Sequence, residues 1–273
     1  MVNEIKTVSI IGAGFLGKLI SEKIALKNYT IRFYDVNPEG LNKFVRRLER
    51  KKKRLGVSGE VTFHESLSEA VKDADLIIEA VPEKLDLKKE VFSQIDKEAP
   101  SHAIIATNSS SIPVSKIEDA IERKDKVLNL HFYHPINTPM VDIQRGTKTS
   151  DAIFEKGKKF LESIDTTPLV VNKECFGFVF NRIWHVVKKD CLKIWAGGYA
   201  DIETVDTAWK IFSGMGLGPF QLMDAIGLDV VYDVEMSYYK ESGNPNDEPP
   251  QALKEMVERG ELGLKTRKGF YKY

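Results

Sequence analysis

The stretch Thr7-Val8-Ser9-Ile10-Ile11-Gly12-Ala13-Gly14-Phe15-Leu16-Gly17 decides the fold. A short apolar run, three glycines spaced G-x-G-x-x-G and a helical pattern from Leu16 to Lys27 make the order strand, turn, helix. In such a turn the first glycine permits the reversal, the second lets backbone approach a pyrophosphate, and the third lets the helix pack on the sheet. The helix N-terminus directs N–H groups at the anion. Gly12, Ala13, Gly14, Phe15, Leu16 and Gly17 are therefore the expected dinucleotide cradle. The next strand pattern, Thr30-Ile31-Arg32-Phe33-Tyr34, ends at Asp35, eighteen residues beyond Gly17. A carboxylate there accepts from both ribose hydroxyls and repels a 2′-phosphate, which favours NAD over NADP. FAD shares the fingerprint, but a flavoprotein usually needs a longer chain, so it is the minor option.

Working outward, apolar runs recur at Leu76-Ile77-Ile78, Ile104-Ile105-Ala106, Val127-Leu128-Asn129-Leu130 and Leu169-Val170-Val171, separated by helical patterns. Strands alternating with helices predict βαβ units and an α/β fold with a doubly wound, mostly parallel sheet of the Rossmann type. Beyond Val171 the strand pattern stops. Helices are expected over 176–196, 201–213, 224–240 and 250–259. The predicted organisation is a dinucleotide-binding domain over 1–172 and a smaller all-helical domain over 173–273, the latter carrying the substrate cleft and subunit pairing. Trp184, His185, Trp195, Trp209 and Phe212 read as core or subunit contact, Gly214, Gly216 and Gly218 as a bend between helices, and Asp224 and Asp229 as helix-capping and turn residues.

With 273 residues, 42% of them hydrophobic, the chain can bury a core of this kind, which excludes a disordered protein. Forty Lys and Arg balance forty Asp and Glu, so no net field draws it to nucleic acid or an anionic membrane. No apolar run reaches the roughly 18 to 20 residues of a membrane span. Cys175 and Cys191 fall sixteen residues apart in one expected helix. That is about 24 Å at 1.5 Å per residue, too far for a disulfide. These features lead to the expectation of a soluble cytoplasmic protein.

In open α/β sheets ligands collect beyond the carboxyl ends of the strands. Three polar clusters stand there: Glu79-Ala80-Val81-Pro82-Glu83, Thr107-Asn108-Ser109-Ser110-Ser111 and His131-Phe132-Tyr133-His134-Pro135. A histidine ending a buried strand suits general acid–base work near neutral pH, so His131 is the candidate and His134 its rival. Asp142, past a loop bounded by Pro135 and Pro139, can fold back to orient the imidazole. The alternative is a capping aspartate beside a merely buried histidine. A metal set from His131, His134 and Asp142 lacks a further strong ligand, so no metal is expected.

These clusters, with Gly12 to Gly17, Gly177-Phe178-Val179-Phe180-Asn181-Arg182, Gly218-Pro219-Phe220, Asp224 to Asp229 and Gly269-Phe270-Tyr271, resemble the L-3-hydroxyacyl-CoA dehydrogenase family along nearly the whole chain. The resemblance implies NAD as cofactor and reversible hydride transfer at C3 of an L-3-hydroxyacyl thioester. It also implies a helical domain that pairs two subunits into a homodimer. It places the catalytic histidine at His131, a hydroxyl at Ser110 and an amide at Asn181, and it puts Glu83, Lys88 and Asn108 beside the cofactor.

The chain departs from the family's pattern in three places. The family's acidic partner of the histidine is commonly a Glu one position beyond Asp142, and an Asn usually precedes Pro135 where His134 stands. The stretch between Asp35 and Glu83 is short, with room for one helix from about Glu39 to Leu55. That helix carries Arg46, Arg47, Arg50, Lys51, Lys52, Lys53 and Arg54 against Glu49 alone. Lys51, Lys52 and Arg54 are candidate contacts for CoA phosphates; the alternative is a solvated helix with Val45 and Leu48 inward. The shortened stretch also points to relatives of the diketoreductase type, which act on free 3-oxo or 3,5-dioxo acids and esters. A structural protein without turnover is disfavoured because His131, Ser110 and Asn181 are all present.

Overall fold

In the computed structural model, which describes residues 4–133 and 138–273, eight strands form one sheet in the order β3-β2-β1-β4-β5-β6-β7-β8. The expected strands are β1 (Thr7–Ile11), β2 (Thr30–Tyr34), β4 (Leu76–Glu79), β5 (Ile104–Thr107), β6 (Val127–Phe132) and β8 (Thr167–Val171). Two more were not anticipated, β3 (Val61–Phe63) and β7 (Met140–Arg145). All neighbours run parallel except β6 and β7, which pair antiparallel with His131 opposite Asp142 and Asn129 opposite Gln144. The fold is the Rossmann-type, mostly parallel sheet followed by helices, as the sequence predicts.

The strands are apolar on both faces because both faces are covered. Ile10, Phe33, Ile78, Leu128 and Leu130 point to one side, against α1 (Phe15–Ala25), α2 (Leu41–Leu55) and α5 (Asp151–Ser163). Ile11, Ile77, Ile105 and Val127 point to the other, against α3 (Leu67–Val71) and α4 (Leu85–Glu98), where Phe92 and Ile95 are fully buried. Each such side chain contributes about 1.5 to 3 kcal/mol by leaving water. The two-residue period of the strands also sets the direction of the side chains at their carboxyl ends. Glu79, Thr107, Asn129, His131, Asp142 and Gln144 all take the α3–α4 face, and every one is buried. On this face a polar layer thus replaces the apolar one across β4, β5, β6 and β7.

The stretch between Asp35 and Glu83 holds more than the single helix expected. After α2 it adds β3 and α3, which starts at Ser66 with the serine hydroxyl accepting from Glu69 N–H. Three residues of strand and five of helix carry too little periodicity to stand out in sequence.

The chain divides into two compact units, Met1–Val179 and Phe180–Tyr273. The second holds α6 (Phe180–Ala196), α7 (Ile202–Ser213), α8 (Pro219–Ile226), α9 (Leu228–Ser242) and α10 (Gln251–Glu258) around Leu192, Phe220, Met223, Leu228 and Leu253. Cys175 precedes α6, so the two cysteines do not share a helix as expected; both are free. The expected helix over 224–240 is two helices broken at Gly227. Asp224 is no cap: fully buried in α8, it accepts from the N–H groups of Phe270 and Tyr271, each at 2.9 Å, and fastens the C-terminus. His185 is buried, its Nδ1 2.7 Å from Glu235. Among the described residues no helix is long and apolar enough to cross a membrane.

Candidate active site

The turn after β1 fits a dinucleotide by three separate tests. Gly12 has φ +102°, and a Cβ there would stand 2.6 Å from the Ala80 carbonyl oxygen. A Cβ on Gly17 would meet the Gly12 carbonyl at 2.0 Å, so α1 can approach the turn only without a side chain at that position. Around Gly14, in contrast, a Cβ would touch nothing. Its openness is what close approach by a ligand requires, and no acidic side chain stands in the first turn of α1 to repel an anion. Asp35 lies beside the turn, with Oδ2 accepting from Ala13 N–H and Oδ1 from Asn37 N–H at 2.7 Å. Arg32 is held away on α3, donating to the carbonyls of Ala70 and Glu69.

A cavity of about 750 Å³ opens from this turn. Gly12, Gly14, Phe15, Leu16 and Asp35 line it with Glu83, Lys88, Asn108, Ser110 and His131. Ten of the sequence-predicted residues of the first unit therefore share one cavity wall, while Ala13, Gly17, Asp142, Lys51, Lys52 and Arg54 do not line it. Asn181 stands half-buried in the first turn of α6 and belongs to the second unit.

His131 ends β6 and is 5% exposed, with Nδ1 3.0 Å from Oδ2 of Asp142. As the sequence suggests, the chain comes back to make the pair: β7 runs antiparallel to β6, and Asp142 lies in it as the direct cross-strand neighbour of His131. A register slip by one residue would turn the carboxylate to the other face. With Nδ1 engaged, Nε2 is the ring nitrogen left for a reacting group. Two rings fix the imidazole plane: Phe178 stacks on it at 5.1 Å and Tyr133 meets it edge-on at 4.5 Å. The Tyr133 hydroxyl donates to the same Asp142 oxygen. His134 and Pro135 lie outside the described residues.

Asn108 and Ser110 come after β5. The Asn108 side-chain oxygen accepts from Phe132 N–H at 2.9 Å, tying the β5 end to the β6 end. Ser110 is exposed at the cavity wall. Asn129, below His131, donates to the Ser109 carbonyl at 3.0 Å and supports the serine turn.

Lys88 and the exposed Glu83 belong to a charge group that also includes Glu79, which the sequence reading placed in a polar cluster but not among the site residues. The Lys88 ammonium lies 2.8 Å from Glu79 and 3.1 Å from Glu83, and both Lys88 and Glu79 are excluded from solvent. Thr107 donates its hydroxyl to Glu79 at 2.7 Å. Burial pushes the Glu83 carboxyl up, but Lys88 and hydrogen bonds from Ser109 and Ser111 prevail and hold it at about 2. The only sequence signal for Glu79 was a carboxylate directly ending an apolar strand. Tyr133 and Phe178 fell inside motifs the sequence reading quoted but were given no role, since an aromatic beside a site reads the same as one in a core.

The basic helix α2 turns part of its charge inward. Lys52 is 1% exposed and donates to the Tyr29 carbonyl, so contrary to the expectation it cannot meet a ligand. Burial lowers its pKa. Lys51 pairs with Glu22 at 2.6 Å, and Arg54 is exposed at the end of α2. No group of three or more metal-ligating side chains occurs among the described residues.

The sequence pattern described as 3-hydroxyacyl-CoA dehydrogenase, NAD binding domain, matches residues 7–175, and its C-terminal domain matches 177–273. The chain is 32% identical over 278 residues to a 3-hydroxybutyryl-CoA dehydrogenase of Clostridioides difficile, covering 97% of this chain and 99% of that one. Among solved structures, a diketoreductase described in terms of dual catalysis of dicarbonyl compounds superposes with a TM-score of 0.87 at 30% identity, covering 99% of this chain and all of the other. The (S)-3-hydroxybutyryl-CoA dehydrogenase of Ralstonia eutropha gives 0.85 at 29% identity, covering 99% of each. With the glycine turn, Asp35 and both domain matches in hand, the chain belongs to the 3-hydroxyacyl-CoA dehydrogenase family and is an NAD-dependent oxidoreductase.

Proposed function

We propose that the enzyme interconverts an L-3-hydroxyacyl-CoA and the 3-oxoacyl-CoA, with His131 as general acid and base. The observation that carries this is the His131–Asp142 pair, 3.0 Å apart at the wall of the cavity that the dinucleotide turn also lines. When bound, NAD supplies the hydride acceptor, and NADH the donor. In oxidation His131 Nε2 takes the C3 hydroxyl proton; in reduction it returns that proton to the alkoxide oxygen. Asp142 holds the Nδ1–H tautomer and offsets the imidazolium charge. Ser110 donates to the reacting oxygen, and Glu83, Lys88 and Asn108 shape the nicotinamide side; Asn181 is the amide that the family resemblance adds. Asp35 would hold the adenosine ribose, and of Lys51, Lys52 and Arg54 the exposed Arg54 is the one retained as the candidate for a CoA phosphate.

A second reading, the same chemistry on a free 3-oxo acid or a 3,5-dioxo ester, is favoured by the burial of Lys52 and by the pairing of Lys51 with Glu22. It is also favoured by the likeness to the diketoreductase structure. NADH oxidation with acetoacetyl-CoA, acetoacetate and a 3,5-dioxo ester separates the two. A kcat/KM at least ten-fold higher for the thioester supports the first; comparable or better turnover of the free compounds replaces it with the second.

The thioester reading places the enzyme in fatty-acid metabolism, and the two free cysteines suit the reducing cytoplasm. Exposed apolar residues on the second unit, including Ile183, Val186, Ile211 and Phe212, support a homodimer. Light scattering after gel filtration reads the mass directly.

A further inference from the structure

We propose that Tyr133 is a positioning residue for the His131–Asp142 pair, acting through the carboxylate and not on the substrate. The inference rests on the reading of that pair as the acid–base machinery. Both donors converge on one atom: Nδ1 of His131 and the hydroxyl of Tyr133 each reach Oδ2 of Asp142. An aspartate gripped by one hydrogen bond can still turn about its Cβ–Cγ bond. A second donor arriving from another direction removes that freedom.

The need for such a clamp comes from the backbone. Asp142 is fixed in β7 opposite His131, so its carboxylate meets the ring at short reach, and a rotation of the carboxylate moves the oxygen off the Nδ1–H axis. Asp142 is wholly buried, and no water competes from bulk solvent for its oxygens. Tyr133 sits just past the end of β6, where the chain leaves the sheet, and its ring meets the imidazole edge-on at 4.5 Å. Opposite it, Phe178 lies flat on the imidazole with an interplanar angle of 20°. One tyrosine therefore does two things: its ring bounds the imidazole and its hydroxyl locks the carboxylate that orients it. The hydroxyl hydrogen bond is to a buried charge, the class in which a single bond is worth roughly ten-fold or more in an equilibrium or rate.

A double-mutant cycle in the full-length enzyme, Tyr133→Phe and Asp142→Asn singly and together, tests this. Tyr133→Phe keeps the ring and deletes only the hydroxyl. If Tyr133 works through Asp142, Tyr133→Phe lowers kcat about ten-fold with KM for NADH unchanged, and it lowers kcat less than two-fold further in Asp142→Asn. A merely structural tyrosine would lower Tm and leave kcat per folded molecule unchanged, overturning the proposal. Losses that multiply in the double variant would overturn it as well, because the hydroxyl would then act by a route other than the carboxylate. If Asp142→Asn alone retains wild-type kcat, the acid–base pair itself is wrong and the proposal falls with it, a result distinct from multiplying losses.

Discussion

Nδ1 of His131 lies 3.0 Å from Oδ2 of Asp142 because the two residues face each other directly across the antiparallel β6–β7 pair. Rigid strands, not a loop, set this distance. The neighbouring elements then supply the rest of the site: the β1 turn for the cofactor, the β5 end for Asn108 and Ser110, and α4 for Lys88.

The glycine turn gives a prediction that separates folding from binding. Gly17→Ala places a methyl 2.0 Å from the Gly12 carbonyl and must displace α1 or the turn. It is expected to lower Tm markedly and reduce soluble yield. Gly14→Ala meets no protein atom, so it folds normally and weakens NADH binding by about ten-fold or more, since the methyl occupies the approach to the pyrophosphate. Thermal unfolding and fluorescence titration with NADH read the two effects; equal loss of binding with equal loss of Tm in both variants would contradict the assignment.

Lys88 is a cation between two carboxylates, one of them wholly buried. Removing it leaves Glu79 uncompensated inside the protein. Lys88→Met should therefore cost roughly 3 to 5 kcal/mol of stability in urea unfolding. Glu79→Gln added to Lys88→Met should recover part of that loss, because the stranded charge is gone.

Glu83 yields a pH prediction with a definite sign. Its folded-state pKa is held at about 2, below the ordinary value of 4.5. It binds a proton less readily folded than unfolded, so its contribution to stability is complete above about 4.5 and is lost as pH falls toward 2. Glu83→Gln should flatten the dependence of urea midpoint on pH in that window, leaving the neutral side unchanged in slope. An unaltered acid limb would show that Lys88, Ser109 and Ser111 do not favour the charged form.

Much of this was legible in the sequence because it rests on local pattern. Gly12 to Gly17 and Asp35 are a short-range signal with one backbone solution, and the strands buried on both faces announce themselves as continuous apolar runs. The His131–Asp142 pairing was readable as a possibility and its cause was not. Val141 to Gln144 alternates apolar and polar residues as a strand does, but it follows two prolines, Pro135 and Pro139, that mark a loop. Side-chain direction was the other gap. Lys52 looks identical to Lys53 in a basic run, yet the helical period turns the first inward to the Tyr29 carbonyl and leaves the second exposed. Phe178 matters through a partner distant in sequence, and Glu79 and Tyr133 matter through partners nine residues on, Lys88 and Asp142, whose approach depends on how separate elements pack.

Acid–base catalysis by His131 stands or falls on His131→Ala, with NADH oxidation on acetoacetyl-CoA and on the free 3-oxo substrates measured beside NADH binding. Loss of the imidazole should lower kcat by about 10²- to 10⁴-fold, the range of a lost general acid, on every substrate the wild type accepts. The dissociation constant for NADH should stay within about three-fold of wild type, a difference under ~1 kcal/mol. Wild-type turnover by His131→Ala would show that another group moves the proton.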